Sequence, residues 1–203
     1  MVLLDDLLNA VDFGQAVDAL ARDFRAEHRL PDIHQLGLVV PDVEAAVAGL
    51  EARGVGPFFI AEGAPVLWRE RGLECSFVGR MAIAYHHGVE LEPLEPGEGS
   101  DFYRQHLDSE GRIVVQHLGF SVQDVDEWAG RLEASGVPVW IRGRLKLGPL
   151  STDFAYMDSV EQAGLVIEFI CWRLFGRPFH PPAAAFHTVG RVEKWSGKRC
   201  LST

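Results

Sequence analysis

The chain has 203 residues, of which 47% are hydrophobic and 24% charged, with a formal net charge of −10. That size and mix suit one ordinary globular domain, or two small modules sharing a core, and exclude a disordered chain. The negative charge argues against a nucleic-acid or anionic-membrane partner, because both reward Lys and Arg, and plain solubility accounts for an acidic surface. Cys75, Cys171 and Cys200 are odd in number and show no C-x-x-C spacing. Neither a disulfide framework nor a cysteine zinc site is therefore indicated, and a reducing cytoplasm is the expected compartment. The stretch from Met1 to Leu8 carries acids where a signal peptide is basic. No apolar run reaches the ~20 residues of a membrane span.

Residues 1–30 read as helical, with apolar residues recurring near a 3.6 period at Leu3, Leu4, Leu7, Leu8 and Val11, then Val17, Leu20, Ala21 and Phe24. Ile33 to Val40 reads as a strand, with Leu36, Leu38 and Val40 on one face and Gln35, Gly37 and Val39 on the other. Asp42 is the expected N-cap of a helix whose buried stripe is Val43, Val47 and Leu50, and Gly54 its stop. Strand segments follow at Pro57–Ile60, Leu73–Val78 and Met81–Tyr85, with Trp68–Gly72 read as a polar turn. Val89–Leu94 alternates with period two and closes the unit, its two acids on one face. Residues 95–99 form a Pro/Gly-rich linker, and Ser100 caps a short helix.

The plan then repeats. Ile113–Val122 is the strand, Asp124–Ser135 the helix and Val137–Ile141 the second strand. A Gly-bearing loop covers Gly143–Ser151, followed by strands at Asp153–Met157 and Leu165–Cys171. Residues 35–55 align without a gap on residues 117–137, with ten of 21 positions identical, and such self-similarity marks a duplicated structural unit. The expected fold is α+β: two tandem βαβββ modules, at 31–96 and 113–171, whose curved mixed sheets surround a shared cavity. A helical extension over 1–30 precedes them, a linker with a short helix over 97–112 separates them, and an irregular, Pro- and Ala-rich extension over 172–203 follows.

The informative residues are polar side chains on strand faces that ought to be apolar. Gln35 opens the first strand of one module, and His117 takes the same slot in the other. Each closing strand carries an acid, Glu92 (preferred over Glu90 on the same face) and Glu168, the latter flanked by Val166, Ile167, Phe169 and Ile170. A buried carboxylate without a partner is costly, so Glu168 should be paired or bound to a metal. Gln35, Glu92, His117 and Glu168 together offer one nitrogen and three oxygen donors, a set suited to Zn, Ni, Co, Mn or Fe(II). Arg142 and Arg144 read as surface charge, or as holders of a substrate anion.

The phrases Gln35-Leu-Gly-Leu-Val-Val-Pro-Asp, Val89-Glu-Leu-Glu-Pro, His117-Leu-Gly-Phe-Ser-Val-Gln-Asp and Gly164-Leu-Val-Ile-Glu-Phe-Ile occur in order, as two matching pairs. With this pattern the chain resembles the vicinal-oxygen-chelate superfamily over about residues 33–171, and is most similar to glyoxalase-like relatives of methylmalonyl-CoA epimerase. The resemblance implies that Gln35, Glu92, His117 and Glu168 bind a divalent metal, and that Glu168, or Glu92, moves a proton alpha to a carbonyl. It implies a metal-dependent isomerase, epimerase or lyase that works on a small carbonyl or thioester substrate through an enolate chelated to the metal, in a homodimer. Two alternatives accompany it: a metal-free binding module of the resistance type, its cavity lined by Trp128, Trp140 or Phe154, and an extradiol-type dioxygenase.

Overall fold

The computed structural model describes residues 1–197 and 201–202; Cys200 lies outside the described residues. The strand–helix–strands unit occurs twice. In the first half β1 (Gln35–Val39) leads into α1 (Val43–Ala52), then β2 (Phe59–Gly63), β3 (Gly79–His86) and β4 (Val89–Leu94). In the second, β5 (Val114–Ser121) leads into α2 (Val125–Ala134), then β6 (Val139–Leu147), β7 (Leu150–Met157) and β8 (Val166–Leu174). Within each half the last strand pairs in parallel with the first, and the middle strands add outward in antiparallel fashion. The halves meet where β1 and β5 run antiparallel, so one mixed sheet, ordered β2-β3-β4-β1-β5-β8-β7-β6, continues through both. This is the expected α+β architecture, with the sheet curled into a half-barrel.

Both helices start where the sequence marks them. Asp42 accepts a hydrogen bond from the Ala45 N–H at 2.8 Å, and Asp124 accepts from the Asp126 and Glu127 N–H groups at 3.0 Å. Each cap satisfies amide donors that a helix N-terminus leaves free, typically worth ~1 kcal/mol. Val43, Val47 and Leu50 of α1, and Val125, Ala129 and Leu132 of α2, are buried.

Strand periodicity divides the interior in two. Leu36, Leu38, Leu91, Leu118, Phe120, Ile167 and Phe169 belong to the core that also contains the buried residues of both helices. The alternate residues Val39, Leu94, Val166 and Ile170 belong to a second, aromatic-rich core with Trp68, Phe77, Phe154 and Tyr156. Gln35, Glu92, His117 and Glu168 share the strand parity of this second set, which places them inside the curl.

Several segments differ from the sequence expectation: Leu73–Val78 is a strand only at Leu73–Glu74, and the short helix is one 3-10 turn, Arg104–His106, that starts after Tyr103 rather than at Ser100. The turn expected over Trp68–Gly72 is confined to Arg71–Gly72: Leu67–Glu70 is a strand that reaches across to the far edge and pairs with β6, Trp68 opposite Gly143. The Gly143–Ser151 loop is mostly hairpin, because β6 runs on to Leu147 and β7 begins at Leu150. Gly143 is tolerated in mid-strand because the Phe154 ring fills the place a side chain would take. The C-terminal extension is not irregular. Pro182 caps α3 (Ala183–Ser196), a position that suits proline, which has no N–H to leave unpaired. Helix α3 packs on β2 and β3, where Glu193 accepts a hydrogen bond from the Ile60 N–H at 3.0 Å. The N-terminal segment is helical in three short pieces, Leu4–Leu8, Phe13–Asp18 and Arg22–His28, after a two-residue strand at Val2–Leu3. Among the described residues no helix is long and apolar enough to cross a membrane.

Candidate metal centre

The seam between the two halves sets the geometry. Across it Gly37 faces His117, and Gln35 faces Gly119. Within each half the closing strand brings its acid beside the glycine, Glu92 opposite Gly37 and Glu168 opposite Gly119. The duplicated Gln/His-Leu-Gly phrase therefore does two things at once. Its first residue is a donor, and its glycine clears the space into which the other half's donor folds. A Cβ on Gly37 would overlap the His117 imidazole; one on Gly119 would overlap the Gln35 side chain and lie 3.2 Å from Glu168 Oε2. Gly37→Ala is accordingly expected to lower stability by about 1–3 kcal/mol, the usual range for overpacking, and to displace His117. Gly49→Ala is the control, since its Cβ meets nothing within 4 Å and helix propensity favours alanine by up to ~1 kcal/mol. Thermal unfolding of the two variants checks this; an unchanged melting temperature for Gly37→Ala would contradict it.

All four side chains are buried: Gln35 and His117 are 0% exposed, Glu168 2% and Glu92 6%. One donor atom from each of Glu92, His117 and Glu168 lies within 4.8 Å of the others. His117 Nε2 is 3.2 Å from Glu168 Oε2 and 3.6 Å from Glu92 Oε2. Gln35 Oε1, His117 Nε2 and Glu168 Oε2 are buried without a hydrogen-bond partner. Gln35 Oε1 is an orphaned acceptor, and His117 Nε2 and Glu168 Oε2 face each other at 3.2 Å without a well-formed hydrogen bond; such atoms at one buried place are unusual, and a cation would engage them. Ligands around one ion at bond lengths of about 2.0–2.2 Å stand at comparable mutual separations. Two carboxylates also neutralise a divalent charge, so Glu92, His117 and Glu168 fit such an ion in spacing, chemistry and charge, and the unpartnered Gln35 Oε1 adds an oxygen donor of suitable chemistry.

Neighbours orient these donors. Gln116 Oε1 is 2.7 Å from His117 Nδ1 and can only accept, so Nδ1 carries hydrogen and Nε2 faces the carboxylates. Gln116 reaches its own neighbour because the β1–β5 register shifts there: Gly37 pairs with His117 and Leu38 with Val115, which leaves Gln116 as the extra residue of a bulge. On the other side the Gln35 Nε2–H donates to Glu90 Oε1 at 2.9 Å, which turns Gln35 Oε1 away from Glu90. Tyr85 OH also donates to Glu90, and His34 Nε2 lies 3.6 Å from it. Glu90 is thus engaged by Gln35, Tyr85 and His34, while Glu92 meets His117.

Charge and burial act strongly on these groups. Burial pushes Glu92 up to about 7, reinforced by the Glu168 charge and opposed by His117. Burial alone would lower His117, but Glu168 and Glu92 outweigh it and raise the imidazole to about 9. Without a cation, then, a proton sits on Nε2 at neutral pH, between the carboxylates.

The two carboxylates border a cavity of about 380 Å³ inside the curl. Tyr103 and Tyr156 also line it, their hydroxyls 3.0 Å apart. One hydroxyl donates to the other, so one O–H hydrogen remains available. Burial, with the Glu92 charge for Tyr103 and the Glu168 charge for Tyr156, drives both phenols well above their usual range, and both stay neutral donors.

A family model described as the glyoxalase/bleomycin resistance protein/dioxygenase superfamily matches residues 34–156. The chain belongs to this superfamily. No curated protein matches it. Among solved structures it is similar to methylmalonyl-CoA epimerase in complex with methylmalonyl-CoA and NH4+, with 20% identity, coverage of 70% of this chain and 94% of that one, and a TM-score of 0.46. It is also similar to a Streptomyces coelicolor methylmalonyl-CoA epimerase variant in complex with 2-nitronate-propionyl-CoA, with 19% identity, coverage of 70% and 96%, and a TM-score of 0.45. For methylmalonyl-CoA epimerase from Mycobacterium tuberculosis the values are 16% identity, coverage of 71% and 93%, and a TM-score of 0.44.

The first and closing strands of the two halves carry Gln35, Glu92, His117 and Glu168, and donor atoms of Glu92, His117 and Glu168 lie within 4.8 Å of one another. The other candidates lie elsewhere. Arg142 pairs with Asp126 at 2.7 Å, and Arg144 and Arg173 both pair with Asp153, so neither Arg142 nor Arg144 lines the cavity. Of the three aromatic candidates only Phe154 lines it. Trp128 stacks against Phe169 under Arg131, and Trp140 packs on Phe102 under Arg71. The sequence reading missed Gln116, Tyr103 and Tyr156, and took Glu90 only as the alternative to Glu92. Gln116 and Glu90 carry one usable signal: each is a polar residue within two positions of a predicted ligand on a buried strand.

Proposed function

We propose that this chain is a metal-dependent isomerase, epimerase or lyase of the glyoxalase-like type, acting on a small carbonyl or thioester compound. One observation carries the reading: donor atoms of the buried Glu92, His117 and Glu168 lie within 4.8 Å of one another, the unpartnered Gln35 Oε1 lies with Glu168 Oε2 at Gly119, and the two carboxylates border a largely apolar cavity. Gln35, Glu92, His117 and Glu168 would hold the ion. A divalent cation bound there would supply Lewis-acid stabilisation of negative charge developing on a substrate oxygen.

The chain's own residues would do the rest. Glu168 takes the proton from the carbon beside the carbonyl. The C–H bond breaks, an O–H bond forms on Glu168, and the electron pair of the C–H bond moves onto the carbonyl oxygen. Return of that proton to the opposite face of the same carbon gives epimerisation; in an α-hydroxy carbonyl, where the former carbonyl oxygen takes a proton and the α-hydroxyl loses its own to become the new carbonyl, delivery to the former carbonyl carbon gives isomerisation. Glu92, the other carboxylate bordering the cavity, is the second group able to deliver it. The free O–H hydrogen of the Tyr103–Tyr156 pair donates to a substrate oxygen, as a fixed dipole positioned before reaction.

Deuterium exchange tests this. Protein treated with a chelator and then reloaded with Zn, Ni, Co, Mn or Fe(II) is incubated in D2O with hydroxyacetone and 2-hydroxyacetophenone, and loss of the alpha-proton signal is followed by NMR. With one of the ions restored, exchange is expected to exceed that of the chelated protein by about 100-fold or more, the low end for positioned acid–base catalysis. Equal rates with every ion would overturn the reading.

The cavity walls favour a second reading, a metal-free binding module. Trp68 and Phe77 stack with centroids 4.5 Å apart at an interplanar angle of 21°, a surface suited to an apolar guest. That reading predicts tight binding by the chelator-treated protein, unchanged when metal is added.

A further inference from the structure

The cavity has two chemically distinct ends. At one, Glu92, Glu168, Tyr103 and Tyr156 present oxygens. The other is bounded by Trp68, Phe77, Phe154, Met81, Leu145 and Leu147. A chain of ring contacts joins the two. Trp68 meets Phe154 edge-on with centroids 6.1 Å apart, Phe154 meets Tyr156 at 5.6 Å, and Tyr156 meets His117 at 4.9 Å. The apolar end is therefore continuous with the candidate metal centre rather than a separate dimple. Its volume of about 380 Å³ lies at the small-molecule end of the usual range for ligand sites, with room for a ring beside a two-oxygen head.

Two features show that this end is built, not left over from packing. Trp68 arrives on the strand Leu67–Glu70, which crosses from the first half to pair with β6 of the second. It is 3% exposed, yet its Nε1–H is buried without an acceptor. A buried indole N–H left unsatisfied costs about 1–3 kcal/mol, and it sits among the apolar side chains of the wall. Beside Trp68 on the paired strand, Gly143 has no side chain, and the Phe154 ring lies in the space this leaves.

We propose that the substrate of this site is a carbonyl compound with an apolar, ring-sized body: the oxygen-bearing head meets the Glu92 and Glu168 end, and the body lies against Trp68, Phe77 and Phe154. The assignment rests on the proposed carbonyl chemistry for its head group and on the cavity walls for its body. Substrates whose only bulk beyond the head is small would leave the apolar walls around Trp68 wet, although Glu62, Arg80 and Lys146 also border the cavity.

The probes are 2-hydroxyacetophenone and hydroxyacetone, neutral α-hydroxyketones that differ only in phenyl against methyl. Their dissociation constants are measured by titration calorimetry on the full chain loaded with zinc, and zinc content is read by elemental analysis on the same sample. Burying a phenyl-sized apolar group predicts roughly 10- to 100-fold tighter binding of the phenyl compound. Trp68→Ala is expected to remove most of that ratio and leave hydroxyacetone binding unchanged. If Trp68→Ala does not fold, Leu145→Asp serves instead, placing a charge against the body. A ratio below about threefold in the wild-type protein with zinc bound would overturn the assignment and leave the metal reading standing. A retained phenyl preference in protein that takes up no zinc would do the reverse, keeping the apolar subsite and removing the metal reading. An unchanged ratio in a folded Trp68→Ala or Leu145→Asp protein would also overturn it.

Discussion

His117→Ala is expected to weaken binding of a divalent cation by about a hundredfold or more. Four-ligand zinc sites in small domains bind with ~10–16 kcal/mol, so one ligand carries roughly 3 kcal/mol, which is about two powers of ten in the dissociation constant. Competition against a chromogenic zinc chelator reads the change directly. A loss below about threefold would remove His117 from the ligand set. The wild-type affinity should also depend on pH, with a definite sign. In the metal-free protein the Glu168 and Glu92 charges hold His117 at about 9, above its ordinary value, so a cation must displace a proton from Nε2. Affinity then rises by about tenfold per pH unit up to about pH 9. The metal-free fold behaves oppositely. Its bound proton contributes stability that is fully present below pH ~6.5 and is lost as pH rises through about 9. The rise in melting temperature that metal produces should therefore be larger at pH 8 than at pH 6.

Glu168→Gln should separate binding from chemistry. The amide keeps an oxygen on the same carbon skeleton but cannot accept a proton at neutral pH. Alpha-proton exchange is expected to fall by about 10²- to 10⁴-fold, the range for losing a positioned acid or base, while metal content falls far less than in His117→Ala. Glu92→Gln completes the comparison, since both carboxylates border the cavity. The account assigns the larger loss of exchange to Glu168. A Glu168→Gln protein with full metal content and full exchange would contradict the mechanism.

Much of this site could be read in the sequence because strand alternation and duplication are local signals. Gln35 and His117 occupy the same slot of a repeated phrase, and Glu168 is a lone acid in an apolar strand. The choice between Glu92 and Glu90 is different in kind. Both share a face of β4, and only the parallel register with β1 sets Glu92 beside Gly37 and Glu90 beside Gln35. Pairing register is a long-range property that periodicity does not encode. The same holds for Trp68. Trp-Arg-Glu-Arg-Gly looks like a polar turn because Arg69 and Glu70 are charged. As an edge strand on β6, however, it needs only Trp68 to point inward, and Arg69 stays in solvent. Gly143 looks like a chain break, and only the distant Phe154 ring explains why a strand passes through it. Pro181-Pro182 suggested an irregular extension, although proline is compatible with the position just before a helix; Ala183–Ser196 is that helix.

The central claim is that side chains from two copies of one unit meet around a single cation. Anomalous diffraction at the zinc edge, from crystals of protein purified without chelators and soaked in zinc, tests it most directly. The account predicts a peak at the seam between β1 and β5, with Gln35 Oε1, His117 Nε2 and one oxygen each of Glu92 and Glu168 at about 2.0–2.2 Å. A zinc peak only elsewhere on the protein, or none at all, would contradict it.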